Sequence, residues 1–167
     1  ENRFIDYFKP STEIYKGMDL LDNKLGGTAP LDVVINAPKN WITDIEEESF
    51  DDDFGFEDEQ STNNGYWWNT ISLEKLEQIH DYLDSLPEIG KVLSVASGIK
   101  VATELKDGEP LSELDLALVK NMLPEEIKEN LLSSYISNDE NQVRISARVI
   151  ESAEGLNRNE LLDEISE

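Results

Sequence analysis

The pattern of apolar positions along the chain divides it into short elements with clear punctuation. Ile14, Met18, Leu21 and Leu25 recur at spacings of four, three and four, which predicts one face of a helix over 12–25. Ser11 or Thr12 caps its start, after Pro10, and Gly26 supplies the left-handed residue that ends it. Between Pro30 and Pro38 the residues Leu31, Val33 and Ile35 alternate with Asp32 and Asn36, which predicts a strand over 31–37 with one wetter face. Leu73, Leu76, Ile79, Leu83 and Leu86 predict a second helix over 72–86, with Ser72 as N-cap and Pro87 as stop. Gly90 is read as a chain turn, and Lys91 to Ala96 as a short β-branched strand. Helical patterns return at 112–122 (Leu114, Leu118, Met122) and 125–135. Between them and the strand lie Ile99 to Leu105 as a helical turn and 106–110 as a loop. Val143, Ile145, Ala147 and Val149 face one way in 142–150, the cleanest strand of the chain, and Asn157 or Asn159 caps a last helix.

The predicted order is α-β-(insert)-α-β-α-α-β-α over a single domain, 1–167. Strands separated by helices argue for an α+β sandwich, and three strands fit a ferredoxin-like split βαβ arrangement better than a doubly wound sheet. The three strands are expected in one sheet, with the helices 12–25 and 72–86 packed on it.

Composition changes this picture in one place. Of the 37 acidic residues, ten fall within 41–60, where no basic residue occurs. Residues 40–66 therefore read as an acidic insertion or long loop. The aromatic residues in it and directly after it, among them Phe54, Phe56, Tyr66, Trp67 and Trp68, mark places where it docks on a core, a cargo or an interface. Asp51, Asp52, Asp53 and Glu57 offer carboxylate oxygens of the kind calcium takes. Their spacing is not that of an EF-hand, since Gly55 comes four residues after Asp51 and Thr62 stands where a bidentate Glu belongs. A solvated loop with weak divalent binding at most is expected there, and no resident cofactor.

The net charge of −23 argues against nucleic acid as a partner, because phosphate binding needs a basic face. The absence of cysteine removes disulfides, thiolate metal sites and a Cys nucleophile. His80 is the one histidine, beside Ile79 on a predicted helix, and reads as a half-buried surface residue with no second His for a metal site. No phosphate-binding glycine motif occurs. These features lead to the expectation of a chain that is not an enzyme. The start at Glu1 without Met, and the end inside a helical pattern at Ile165-Ser166-Glu167, fit a piece of a longer polypeptide.

Several segments resemble one family. The lead-in Asn2-Arg3-Phe4-Ile5-Asp6-Tyr7-Phe8, the helix ending in Leu25-Gly26-Gly27-Thr28 and the strand Pro30-Leu31-Asp32-Val33-Val34-Ile35 are similar to the start of the first extracytoplasmic loop of RND-superfamily exporters, of the MmpL and hopanoid-transporter group. Leu86-Pro87-Glu88-Ile89-Gly90-Lys91-Val92-Leu93-Ser94 resembles that family's helix-to-strand turn, and Gln142-Val143-Arg144-Ile145-Ser146-Ala147-Arg148-Val149 a later strand. The resemblance covers 2–38 and 69–165 and leaves out the acidic insert. It implies a porter subdomain of βαβ type on the periplasmic side of a bacterial inner membrane, which helps pass hydrophobic or lipid-like cargo outward. The implied partners are the transmembrane and periplasmic remainder of the exporter, the cargo, and a second copy of the parent. It transfers no cargo-binding or proton-coupling residue to this chain. A reading of a different class is an adaptor that binds calcium or protein through 44–59, and a third is a small hydrolase built on an acidic pair.

Overall fold

The computed structural model describes residues 4–39, 65–122, 124, 126, 132–153 and 155–166. Among them, a single turn of 3-10 helix at Phe4–Tyr7 leads into α1 (Glu13–Leu25) and β1 (Ala29–Asn36). After the insert come α2 (Thr70–Ser85), β2 (Ile89–Leu93), α3 (Val95–Leu105), α4 (Glu113–Met122), β3 (Gln142–Val149) and α5 (Arg158–Ser166). The class is mixed α and β, with one three-stranded antiparallel sheet in the order β1-β3-β2. The three predicted strands thus share a sheet. The predicted helix at 125–135 falls mostly outside the described residues.

The chain divides into two compact units, and α2, α3, β1 and β3 each pass from one into the other. The first holds residues 1–33, 76–97 and 145–167. Its buried residues include Leu76, Leu83, Ile89, Val92, Ile145, Ala147, Val149 and Leu161. Strand β3 alternates as expected, because a central strand with one covered face must bury every second residue. Ile89 pairs with Val149, then Val92 with Ala147 and Leu93 with Ser146, so β2 carries one extra residue, a bulge.

That bulge explains two glycines. Gly26 ends α1 with φ 71°, the left-handed conformation that costs glycine least. The Lys91 N–H, in the bulge, donates to the Gly26 carbonyl at 3.1 Å. The approach is so close that a Cβ on Gly90 would stand 2.0 Å from the Gly26 oxygen. Gly90 is therefore not the expected turn but a contact residue inside a strand, where the absent side chain lets α1 end against β2.

A second correction concerns the end of β2. Val95 and Ala96 read as strand from their side chains, yet they open α3. Ser94 is the reason. Its Oγ accepts from Ala96 N–H at 3.1 Å, and its own N–H donates to Ser97 Oγ at 3.2 Å, a reciprocal cap. Likewise α2 begins two residues earlier than expected, because Asn69 Oδ1 and not Ser72 supplies the cap, accepting from Ser72 N–H at 2.9 Å. Thr12 and Asn157 cap α1 and α5 as predicted.

The largest departure is the orientation of α1. The stripe expected to face the core is open to water: Ile14 is 57 % exposed, Leu21 49 % and Leu25 51 %. The buried residue of α1 is Asp22. The helix is held by its polar flank and its glycine end instead of by its apolar stripe.

The second unit holds residues 34–75 and 98–144. Trp67, Trp68, Leu73, Leu116, Ile136 and Val143 are buried in it. The Ala37 N–H donates to the Asn141 carbonyl at 2.7 Å and Gln142 Nε2 to Asn36 Oδ1 at 2.8 Å, which continues the β1–β3 pairing there.

Candidate functional site

The feature of the second unit that reads as a binding site is an open groove between α3 and α4. Ala102 and Leu105 stand at helical spacing on α3, with Lys106 just past its end, and Asp115, Leu118, Val119 and Met122 at helical spacing on α4, so each helix gives one face to it. Leu111, from the connection between them, adds a further wall, and the volume is about 420 Å³. The lining is apolar apart from one ion pair. Lys106 Nζ donates to Asp115 Oδ2 at 2.7 Å, and the same oxygen accepts from Ser112 N–H and Oγ at 2.7 and 2.6 Å. Those bonds, from Lys106 first and then Ser112, hold the Asp115 carboxyl well below the usual carboxylate range. The pair is charged but internally matched, so it offers little to a charged ligand. It fixes the α3–α4 turn and leaves apolar surface exposed beside it: Leu105 is 83 % exposed and Met122 76 %. Such a surface can take up an apolar ligand chain by removing it from water.

Sequence reasoning saw half of this. It places Leu114, Leu118 and Met122 on one helix face, without saying what covers that face. In the structure Leu116 is the buried residue of α4, and Leu114 and Met122 face water.

Of the residues singled out from the sequence, Tyr66, Trp67 and Trp68 lie elsewhere. Trp67 and Trp68 are buried, and Tyr66 is half-buried with its ring edge-on to Trp67 at 5.0 Å. Trp67 Nε1 donates to the Asn141 carbonyl at 3.3 Å, and Gly65 N–H donates to Glu140 Oε2 at 2.8 Å. Lys120 reaches Glu140 Oε1 at 2.5 Å and stands 5.9 Å from the Trp68 ring centre. These contacts anchor the chain where it leaves the insert. Phe54 and Phe56 lie outside the described residues, as do Asp51, Asp52, Asp53 and Glu57. Among the described residues no cluster of three or more metal-ligating side chains occurs.

Buried polar residues of the first unit form hydrogen-bonded constellations around Asp22 and around His80. Asp22 accepts from Thr28 Oγ1 and from Ser152 N–H, both at 2.7 Å. Burial alone would raise its carboxyl, but hydrogen bonds from Ser152, then Thr28 and the Glu151 backbone, outweigh burial and hold it below the ordinary value. Asp22 thereby ties the end of α1 to the start of β1 and to the turn after β3. His80 is buried, contrary to the half-exposed position expected, and its Nδ1 lies 2.9 Å from Ser94 Oγ. A serine beside a histidine invites comparison with a nucleophile and its base. Here both side chains are buried and Ser94 Oγ caps α3, so the pair joins α2 to the β2–α3 junction and presents no open nucleophile.

Among the described residues no helix is long and apolar enough to cross a membrane. Comparison with family models, with curated proteins and with solved structures yields no match.

Proposed function

We propose that this chain is a periplasmic porter domain of an RND-type exporter, a non-enzymatic module that helps move hydrophobic or lipid-like cargo outward. The observation that carries this reading is the groove between α3 and α4, which exposes Leu105, Leu118 and Met122 beside a self-matched ion pair. An apolar trough with no reactive group suits transient contact with a greasy ligand. The fold supports the reading as well. Strands β1 and β2 are parallel, joined through α2, with antiparallel β3 between them, an order that suits the split βαβ half of a ferredoxin-like arrangement. The charge of −23 speaks against direct docking on anionic headgroups, so the domain would stand clear of the bilayer surface and act on cargo handed to it. Its partners are then the membrane-spanning and periplasmic remainder of the exporter.

The test is fractionation of cells that make the natural gene product, followed with an antibody to this domain. The reading requires that the product sediment with inner membranes, resist alkaline extraction and dissolve in detergent. A product released whole into the soluble fraction would contradict it.

A further inference from the structure

We infer that the exposed stripe of α1 is a seam for a second copy of this chain, paired antiparallel, α1 against α1. Four observations converge on it. The stripe has the strict four-three-four spacing that marks a narrow helix-pairing seam, not the broader face of a helix laid on a core. Its members are uncovered: Ile14, Leu21 and Leu25 are each about half exposed, and Met18 is intermediate. It is self-complementary. A two-fold axis through the middle of α1 sets Ile14 against Leu25 of the other copy and Met18 against its Leu21, so each layer pairs a residue near one end with one near the other. Its own charge is also small for so acidic a chain. Helix α1 carries Lys16 and Lys24 against Glu13, Asp19 and the buried Asp22, one negative charge in excess, within a chain of −23. Glu13 and Lys24 flank the same side of the stripe at opposite ends, so antiparallel pairing brings each Glu13 towards the partner copy's lysine at position 24.

The size of the seam sets the strength. A helix of 13 residues is about 20 Å long, and one helix face is far less than the roughly 800 Å² per partner of a standard stable interface. The pairing is therefore weak and concentration-dependent. It should tighten with salt, because screening relieves the repulsion between two acidic chains while the apolar layers are unaffected.

The experiment is sedimentation equilibrium of the 167-residue chain up to roughly millimolar protein, in about 0.1 M and about 1 M sodium chloride, where screening lengths are ~10 and ~3 Å. The expected result is a monomer–dimer equilibrium that strengthens with salt and weakens at least about tenfold in Leu21→Ser. Leu21 is exposed, so this variant keeps the parent melting temperature. A monomer under every condition, or a dimer indifferent to Leu21→Ser, overturns the proposal. Orientation is read by crosslinking, which is clean because the chain has no cysteine. Oxidation of an equimolar mixture of Ile14→Cys and Leu25→Cys chains should give the mixed dimer, while Ile14→Cys alone should give none, since its two copies stand about 16 Å apart. Preferential Ile14→Cys homodimers would refute the antiparallel seam.

Discussion

Replacing Gly90 by alanine tests the packing that defines the first unit. The new Cβ would lie 2.0 Å from the Gly26 oxygen and 2.2 Å from its carbonyl carbon. A carbon–oxygen contact needs about 3.3 Å, so the end of α1 and the β2 bulge must part by more than about 1 Å. The Lys91 N–H to Gly26 carbonyl bond, now 3.1 Å, then opens beyond hydrogen-bonding range. Losing that bond costs about 1 kcal/mol, and forcing a methyl group into a closed backbone contact adds about 1–3 kcal/mol. The sum is about 2–4 kcal/mol, which for a chain of this length lowers the melting temperature by roughly 5–15 °C. Gly98→Ala is the matched control. It lies within α3, nothing stands within 4 Å of the place its new methyl group would take, and a helical Gly-to-Ala change gains about 0.5–1 kcal/mol. Thermal melts followed by circular dichroism should move in opposite directions for the two variants. If Gly90→Ala melts within about 2 °C of the parent, the close docking of Gly26 on β2 is wrong.

Two further perturbations probe the polar ties of the same unit. Asp22→Asn turns an N–H2 donor towards Thr28 or Ser152 and should destabilise by about 1.5–3 kcal/mol at neutral pH, measured by urea unfolding. Because the folded carboxyl titrates below its unfolded value of about 3.9, its stabilisation is complete above that pH and lost as pH falls through the folded value. The variant's stability should therefore fall less steeply than the parent's below about pH 4, and equal slopes would refute the assignment. Ser94→Ala removes the α3 cap and the partner of His80 Nδ1 together, for an expected loss of about 1–2 kcal/mol, whereas Ser94→Thr, which keeps the hydroxyl, should lose less.

The strands were legible because period-two alternation has a single physical cause. A strand with one covered face buries alternate residues, as Val143, Ile145, Ala147 and Val149 do. Helix ends were legible where the capping chemistry is local, as at Thr12 and Gly26. They were misread where two candidate caps compete, as with Asn69 and Ser72, or where a cap interrupts a β-branched run, as Ser94 does before Val95. The direction in which a helix faces was not legible at all for α1 and α4. A regular apolar stripe states that a surface seeks cover, not what covers it. In α1 a buried carboxylate with satisfied hydrogen bonds and a glycine-to-backbone contact hold the helix, and the stripe is left outside. In α4 Leu116 alone turns inward, and Leu118 and Met122 line the groove instead. The candidate site was therefore hidden in residues whose apolar spacing does not say whether a core or a groove takes them.

Uptake of apolar ligands by the α3–α4 groove is tested most directly by titration with an uncharged fluorescent acyl probe that brightens on leaving water. The parent chain should give saturable, one-to-one binding that strengthens as the acyl chain lengthens, by about 0.8 kcal/mol for each methylene buried. Leu118→Asp, at a half-exposed position, should keep the parent melting temperature and lose binding at least about tenfold. A linear, non-saturating signal, or identical titrations for parent and variant, would contradict the account.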